Sequence, residues 1–255
     1  QSGLMDAMPA TPGELMARAT FDLRLRGKGS AYASGNRPEA DLLCRSCGGI
    51  STIDATVSAE KAIYKFPRSA GTFESVTMIF MQENAPSVKL LGLAGDVQLV
   101  FQAGQPVVAR FTFMGLHGGR GTQALVSAQP AATPLHPILA SAAFQIGTEN
   151  YAAQFRALTI ALNNRVNPIA GPNDANAYAG FFIDRDPTRP PTIEFDPEAV
   201  AAATYDWFST LRAGTQPVHG ANYTNGHKRL IAWSLEAPDA IGTARHEVVH
   251  WLKSQ

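Results

Sequence analysis

The stretch 73–118 constrains the fold more than any other part of the chain, because apolar and polar residues alternate in two segments of it. Such alternation places the apolar side chains on one side of a pleated strand. It occurs twice, at 96–101 with Val97, Leu99 and Phe101, and at 107–114 with Val107, Ala109, Phe111 and Phe113. The residues 102–106 between them include Gly104, which can adopt positive φ, and Pro106, which cannot donate to a ladder. The sequence therefore predicts an antiparallel hairpin.

The segment 73–81 is apolar on both sides of the strand that it predicts. Val76, Met78 and Phe80 fall on one side, and Ile79 and Met81 fall on the other. Both sides then need cover, and because one sheet face normally packs on its own core, the second is a candidate contact with another subunit. We therefore predict a subunit interface that contains Val76, Met78, Ile79, Phe80, Met81 and Val100.

Short pieces rich in glycine and aromatic residues follow one another in and before this region. In chain order they are LLCRSCG (42–48), YKFP (64–67), FESVTMIF (73–80), LLGLAGDV (90–97), FQAG (101–104) and ARFTFMGL (109–116). Their order resembles the major tail (tail tube) proteins of long-tailed, siphovirus-type bacteriophages, and the similarity is strongest over residues 38–118. None of the pieces is a catalytic signature, so the resemblance implies a structural role.

The resemblance implies a virion protein that polymerises as stacked rings and forms the tail tube through which genomic DNA reaches the host. Two tube-like domains per chain would give trimeric rings with pseudo-sixfold symmetry, and a hexamer of chains is the fallback. The implied partners are further copies of the chain and other tail proteins, such as the tape measure, terminator and distal tail proteins. Assembly would take place in the host cytoplasm, and DNA would pass without specific binding. A tail-completion or baseplate ring protein of similar fold is an alternative.

Composition agrees with burial in an assembly. Only 16% of the 255 residues are charged, against about 25% in typical proteins, and interface cores are depleted of charge. The 21 basic residues balance the 21 acidic ones, so no basic excess favours tight nucleic-acid binding. No apolar run approaches the roughly 20 residues of a membrane span, and we expect no membrane contact.

The predicted fold is mainly β with α, a β-sandwich or barrel of the tail-tube type with flanking helices, in two tandem copies. The boundaries are an N-terminal arm at 1–17, a first β domain at 18–121, a proline- and alanine-rich linker at 122–150 and a second β domain at 151–255. Strands are predicted at 18–25, 52–66, 73–116, 154–162, 178–184, 228–235 and 242–252.

Helices are predicted at 38–47 and 197–213. The second has the clearer signals, with Asp196 as the N-cap, Pro197 at the first helical position and Gly214 just past the end. The stretches 163–177 and 185–197 are rich in proline and predict loops, and His117–Gly121 predicts a flexible turn.

One motif raises the alternative of a zinc metallopeptidase. In HEVVH a helix would present His246 and His250 as zinc ligands and Glu247 as the general base. The adjacent β-branched Val248 and Val249 favour a strand instead, and residues 251–255 contain no third ligand. We therefore predict no catalytic residue, no cofactor and no metal, and a protein that is not an enzyme.

The only two cysteines, Cys44 and Cys47, form a C-x-x-C motif. A redox motif of this kind opens a helix after a strand, but here it closes a predicted helix. A single pair also cannot complete a tetrahedral zinc site. The interpretation is two structural thiols in a reducing compartment.

Overall fold

A computed structural model describes residues 16–26, 33, 35–56, 61–66, 73–82, 85–122, 141–146, 149–151, 155–171, 178–184, 191–197, 206, 209, 219–225, 228–235 and 247–252. These residues are mainly β, as the sequence predicts. The elements before residue 122 are β1 (Met16–Arg24), α1 (Asp41–Ser46), β2 (Ile50–Asp54), β3 (Lys61–Lys65), β4 (Val76–Gln82), β5 (Ala85–Gln102) and β6 (Val108–Gly121). The elements after it are β7 (Ser141–Ile146), β8 (Glu149–Tyr151), β9 (Phe155–Ala161), β10 (Arg165–Ala170), β11 (Tyr178–Asp184), β12 (Thr192–Pro197), β13 (His219–Asn225), β14 (Lys228–Leu235) and β15 (Glu247–Leu252).

A six-stranded antiparallel sheet forms the centre of the described fold. Its strand order is β1-β6-β5-β9-β12, and β4 pairs with β5 beside this path. One edge of β5 pairs with β6, whereas the other pairs with β4 through residues 85–93 and with β9 through residues 98–102. The predicted hairpin is confirmed, and it is longer than the alternating pattern indicates.

Glycines shape this hairpin at its turn and along its arms. In the turn, the amide of Gln105 donates to the carbonyl of Gln102 at 3.0 Å, and Gly104 has a φ of 73°. Further along, Gly92 at 59° and Gly119 at 92° lie where the strand register shifts. Such bulges bend a strand and increase its twist. The turn predicted at His117–Gly121 is therefore wrong, since these residues end β6 and the positive φ of Gly119 serves a bulge.

The hydrophobic core lies on one face of the six-stranded sheet, with α1 and β3 packed against it. The alternation predicted at 96–101 and 107–114 is confirmed, because its apolar side chains are all buried. Phe21 of β1 joins Phe111 and Phe113, with ring centroids 5.8 and 6.0 Å away. Cys44 and Cys47 of the α1 region and Tyr64 of β3 complete the same core.

A seven-stranded sheet has the order β2-β3-β15-β14-β13-β7-β8, and β10 and β11 form a separate two-stranded sheet. Both large sheets combine strands from before and after residue 122, since β9 and β12 join the first sheet and β15 pairs with β3 in the second. The predicted halves 18–121 and 151–255 thus share their sheets, and β7 lies within the predicted linker 122–150. The division into two tandem domains stays a prediction.

Two stretches predicted as loops contain strands. β10 lies in the loop predicted at 163–177 and β12 in the one predicted at 185–197. Both pair with a single neighbour in the described structure. Proline is tolerated in such edge strands, because the backbone amides on the unpaired side donate no hydrogen bond to the sheet. In β12, Ile193 and Phe195 pack against the core while Thr192, Glu194 and Asp196 are exposed.

The helix predictions fare differently. α1 begins at Asp41, three residues later than predicted, and its N-cap Ala40 makes no side-chain cap hydrogen bond. The predicted cap of the second helix is wrong, because Asp196 and Pro197 end β12. Most of 197–213 lies outside the described residues, although the Asp206 carboxylate does accept a hydrogen bond from the amide of Ser209 at 3.1 Å. In the part of the chain described here, no helix is long and apolar enough to cross a membrane.

Candidate assembly surface

The six predicted interface residues are divided between the core and the surface. Val76 is buried, and Met78, Met81 and Val100 are half-buried. Ile79 and Phe80 are exposed, with 36% and 44% of their surface accessible. Only these two large apolar side chains of the predicted interface therefore lie open at the surface of a single chain.

The pairing of β4 explains why these two side chains are exposed. At one end of the strand Val76 pairs with Leu93, which is fully buried. At the other end Phe80 pairs with Val88, which is only partly buried. Phe80 thus shares a side with Val76 but lies beyond the core. Within the described residues the second edge of β4 pairs with no strand, so Ile79 and Phe80 lie beside an open sheet edge.

Val100 lies in a different environment, on the face of the six-stranded sheet opposite the core. Short or polar side chains surround it there, among them Gln98 of the same strand and Thr159 of β9. Asp22 and Arg110 form an ion pair of 3.0 Å on this face, with about half of each side chain exposed. We call this surface the polar sheet face. It consists of the outward residues of β1, β6, β5, β9 and β12.

A second exposed apolar pair lies on the β10–β11 hairpin, and the sequence analysis missed it. Ile169 is 42% and Phe182 is 40% exposed. The register pairs Phe182 with Asn167, two residues from Ile169, so both side chains share the outer face. The opposite face carries the buried Ile183. The signal available in the sequence was the adjacent pair Phe181-Phe182, which places one ring on each face of a strand.

The most polar buried group in the described structure is the carboxylate of Asp41 at the start of α1. It accepts hydrogen bonds from the Ser51 hydroxyl at 2.7 Å, the Tyr64 hydroxyl at 2.8 Å and Nε of Arg45 at 2.9 Å. Arg37 contributes a further ion pair at 3.3 Å. Burial alone would raise the pKa of Asp41, but these hydrogen bonds and arginine charges hold it below its usual value.

This network joins four segments of the chain. Arg45, which bonds to Asp41, also forms an ion pair with Glu74 just before β4. Ser51 belongs to β2 and Tyr64 to β3. The cluster therefore ties α1 to the seven-stranded sheet and to the approach of β4. Its groups are mutually satisfied, which is the arrangement of a structural network rather than of a reactive one.

A second carboxylate, that of the half-buried Asp96, lies where the edge of β5 passes from β4 to β9. Its Oδ1 accepts a hydrogen bond from the amide of Asn164 at 3.0 Å. The side chain of Asn164 donates to the carbonyl of Cys47 at 2.8 Å and so attaches the end of α1. Burial raises the pKa of Asp96, although the amides of Asn164 and Val97 oppose the shift.

The cysteines show no feature of a reactive pair. Both are free and buried, and burial, together with the charge of Asp41, raises the pKa of the Cys44 thiol far above its usual range. A protonated, enclosed thiol is a poor nucleophile. These properties are those of structural thiols in the core.

The HEVVH motif falls partly outside the described residues, since His246 is not among them. Glu247–Leu252 forms β15, so the predicted strand is confirmed there. The helical spacing by which an HExxH motif brings its two histidines together is therefore not formed at 247–250. Within the described ranges, no group of three or more His, Cys, Asp or Glu residues is placed to hold a metal ion.

Comparison with known proteins adds no identification. No protein family matches the chain, and no curated protein has significant similarity to it. The described residues form a mainly β structure in which the six-stranded sheet has unpaired edges, with an exposed apolar pair beside one of them.

Proposed function

We propose that this chain is the structural subunit of a bacteriophage tail tube. Copies assemble into rings, trimers with pseudo-sixfold symmetry, and the rings stack into a conduit for genomic DNA. The resemblance of residues 38–118 to tail tube proteins supports this function. The observation that carries it is the exposed pair Ile79 and Phe80 beside an open edge of β4.

An exposed apolar pair at an open edge is a hazard for a monomer, because it invites pairing with other chains. In a ring, the next copy covers it. Fully burying an isoleucine or phenylalanine is worth about 1.5–3 kcal/mol. Since 36% and 44% of the two residues remain accessible, their further burial contributes about 1 kcal/mol each. A sum of about 2 kcal/mol strengthens each contact roughly 30-fold.

The polar sheet face has the properties that a DNA conduit needs. Its ion pair Asp22–Arg110 is internally balanced, and the whole chain has no net charge. A protein that neutralises many phosphates binds DNA tightly, whereas a neutral wall lets the polyanion slide. In the proposed ring this face lines the lumen, and α1, which packs on the opposite face, lies outside.

Electron microscopy of the purified chain tests the proposal. Stacked rings or tubes are expected for the wild type, and Ile79→Ser is expected to raise the protein concentration needed for assembly about fivefold. Ile50→Ser is the matched control, because Ile50 is also an exposed strand residue, at 52%, but lies on β2 in the other sheet. Its assembly should match the wild type.

Three outcomes contradict the proposal. Dispersed wild-type monomers at all concentrations refute self-assembly, and stoichiometric zinc bound to such monomers favours the metallopeptidase alternative. Isolated rings that never stack favour a tail-completion or baseplate protein. Equal effects of Ile79→Ser and Ile50→Ser show that the β4 edge is not the contact.

A further inference from the structure

The two outer strands of the six-stranded sheet carry opposite unpaired charges. Among the described residues β1 pairs only with β6 and β12 only with β9, so each leaves one backbone edge open. β1 exposes Arg18 and Arg24, and β12 exposes Glu194. None of these three side chains has an ion pair or hydrogen-bond partner in the described structure.

The neighbouring charges of the same strands behave differently. Asp22 of β1 pairs with Arg110 at 3.0 Å, and Asp196 of β12 pairs with Arg156 at 3.0 Å. The charges that remain unpaired make the β1 edge of the sheet basic and the β12 edge acidic. Complementary charge of this kind suits a head-to-tail contact between two copies of the same chain.

The register places two of the free charges at opposite ends of a single row across the sheet. Arg24 lies opposite Val108, and the row continues through Val100 and Thr159 to Glu194. All five residues share the polar sheet face, because directly paired residues point to the same side. Four strand spacings of about 4.8 Å separate the two ends by roughly 19 Å.

The strand directions determine how such a contact forms. The path from β1 to β12 contains four strand pairings, β1–β6, β6–β5, β5–β9 and β9–β12, and each of them is antiparallel. The first and last strands of the path therefore run in the same direction. A rotation about an axis along the strands preserves that direction, so β12 of one copy meets β1 of the next as a parallel pair.

We propose that β12 of each copy pairs in parallel with β1 of the next, and that Glu194 of one copy and Arg24 of the next set the register of this junction. The inference rests on the proposed ring function and names the strands, direction and side chains of one ring contact. The adjacent row places Thr192 beside Asp22 of the next copy. No like charges meet in these two rows. The two copies can therefore pair with Glu194 directly opposite Arg24 without electrostatic repulsion in either row.

Charge reversal with rescue tests this contact. Arg24→Glu and Glu194→Arg are each expected to raise the critical concentration for assembly at least about tenfold, since like charges then face each other. The double variant restores the opposite signs and should return to within about threefold of the wild type. Arg18→Glu is the matched control, because it makes the same charge change on the same strand and the same face. The proposed junction gives Arg18 no partner.

All three positions are exposed, so the variants should keep the wild-type far-UV circular dichroism and urea midpoint, and these measurements are made first. If the wild type does not assemble, the proposed function fails. If the wild type assembles and both single reversals assemble equally well, the ring function stands and the junction is refuted. Rescue of Glu194→Arg by Arg18→Glu instead of Arg24→Glu overturns the register.

Discussion

The substitution Asp41→Ala tests how the described fold holds α1 in place. Asp41 is 4% exposed and is the common acceptor of Ser51, Tyr64 and two arginines. Alanine removes the acceptor but leaves the donors. We expect a loss of folding free energy that is far larger than an average surface substitution causes.

The magnitude follows from the partners. Hydrogen bonds to a charged group contribute about 1.5–3 kcal/mol each, but the hydroxyls recover part of this through other contacts and Asp41 no longer has to be desolvated. The side chains of Arg37 and Arg45 are 30% and 25% exposed, so each ion pair adds at most about 1 kcal/mol. The expected net cost is about 2–4 kcal/mol.

Urea unfolding measured by circular dichroism checks this value. It is best done in the Ile79→Ser background, so that self-association does not add to the apparent stability. Asp22→Ala is the matched control, because it breaks an ion pair whose partners are 51% and 50% exposed and should cost at most about 1 kcal/mol. Equal effects of the two substitutions would refute a structural role for the buried network.

The stability difference between the wild type and Asp41→Ala has a defined pH dependence. The pKa of Asp41 is lowered in the folded state, so its contribution to stability is complete above the usual pKa of an aspartate. It is lost only as the pH falls through the lowered folded-state value. The difference between wild type and Asp41→Ala should therefore stay constant from neutral to mildly acidic pH and shrink only in strong acid.

Four further predictions concern single sites. Gly95→Ala should lower the urea midpoint by the equivalent of about 1–3 kcal/mol, because a Cβ there would lie 2.5 Å from the ring of Phe113, whereas Gly35→Ala, with no atom within 4 Å, should not. Burial raises the pKa of Asp96 in the folded state, so the wild type loses stability as the pH rises through this raised pKa. The unfolding free energy of Asp96→Asn should therefore increase relative to that of the wild type from pH 3 to 7, and a difference that does not change with pH contradicts this. A thiol reagent should label neither buried cysteine until urea unfolds the chain, and rapid native labelling would refute their enclosure. If the proposed junction is correct, an equimolar mixture of Arg24→Glu and Glu194→Arg can alternate only in even-numbered rings, so the proposed trimers should not close from it in electron microscopy.

Much of the sheet was predictable because strand alternation is a local property. The buried side chains at 97, 99, 101, 107, 109, 111 and 113 are those that the pattern selects. The strand at Glu247–Leu252 was also predictable, since adjacent β-branched residues favour extended backbone over the helix of a zinc motif. The exposure of Ile79 and Phe80 was partly predictable, because a strand apolar on both sides cannot bury both in one sheet.

Other features were hidden because they depend on distant partners. β12 looked like a proline-rich loop, but its one proline, Pro197, is its last residue, and β9 supplies its neighbour. His117–Gly121 looked like a turn, but β5 continues opposite it and extends β6 to Gly121. The partners of Asp41 were only partly visible in the sequence, since Arg37 and Arg45 lie four residues away on either side but Ser51 and Tyr64 approach it from separate strands.

The amino-acid sequence by itself determined where the backbone is extended and which side of each strand is apolar, because side chains alternate with a period of two residues. The tertiary structure alone decided which strands are neighbours, and thereby which edges stay open and which charges share a row. Strand pairing joins residues far apart in the chain, so no local pattern specifies it. Arg24 and Glu194 are separated by most of the chain, and only the registers of four strand pairs place them at opposite ends of one row.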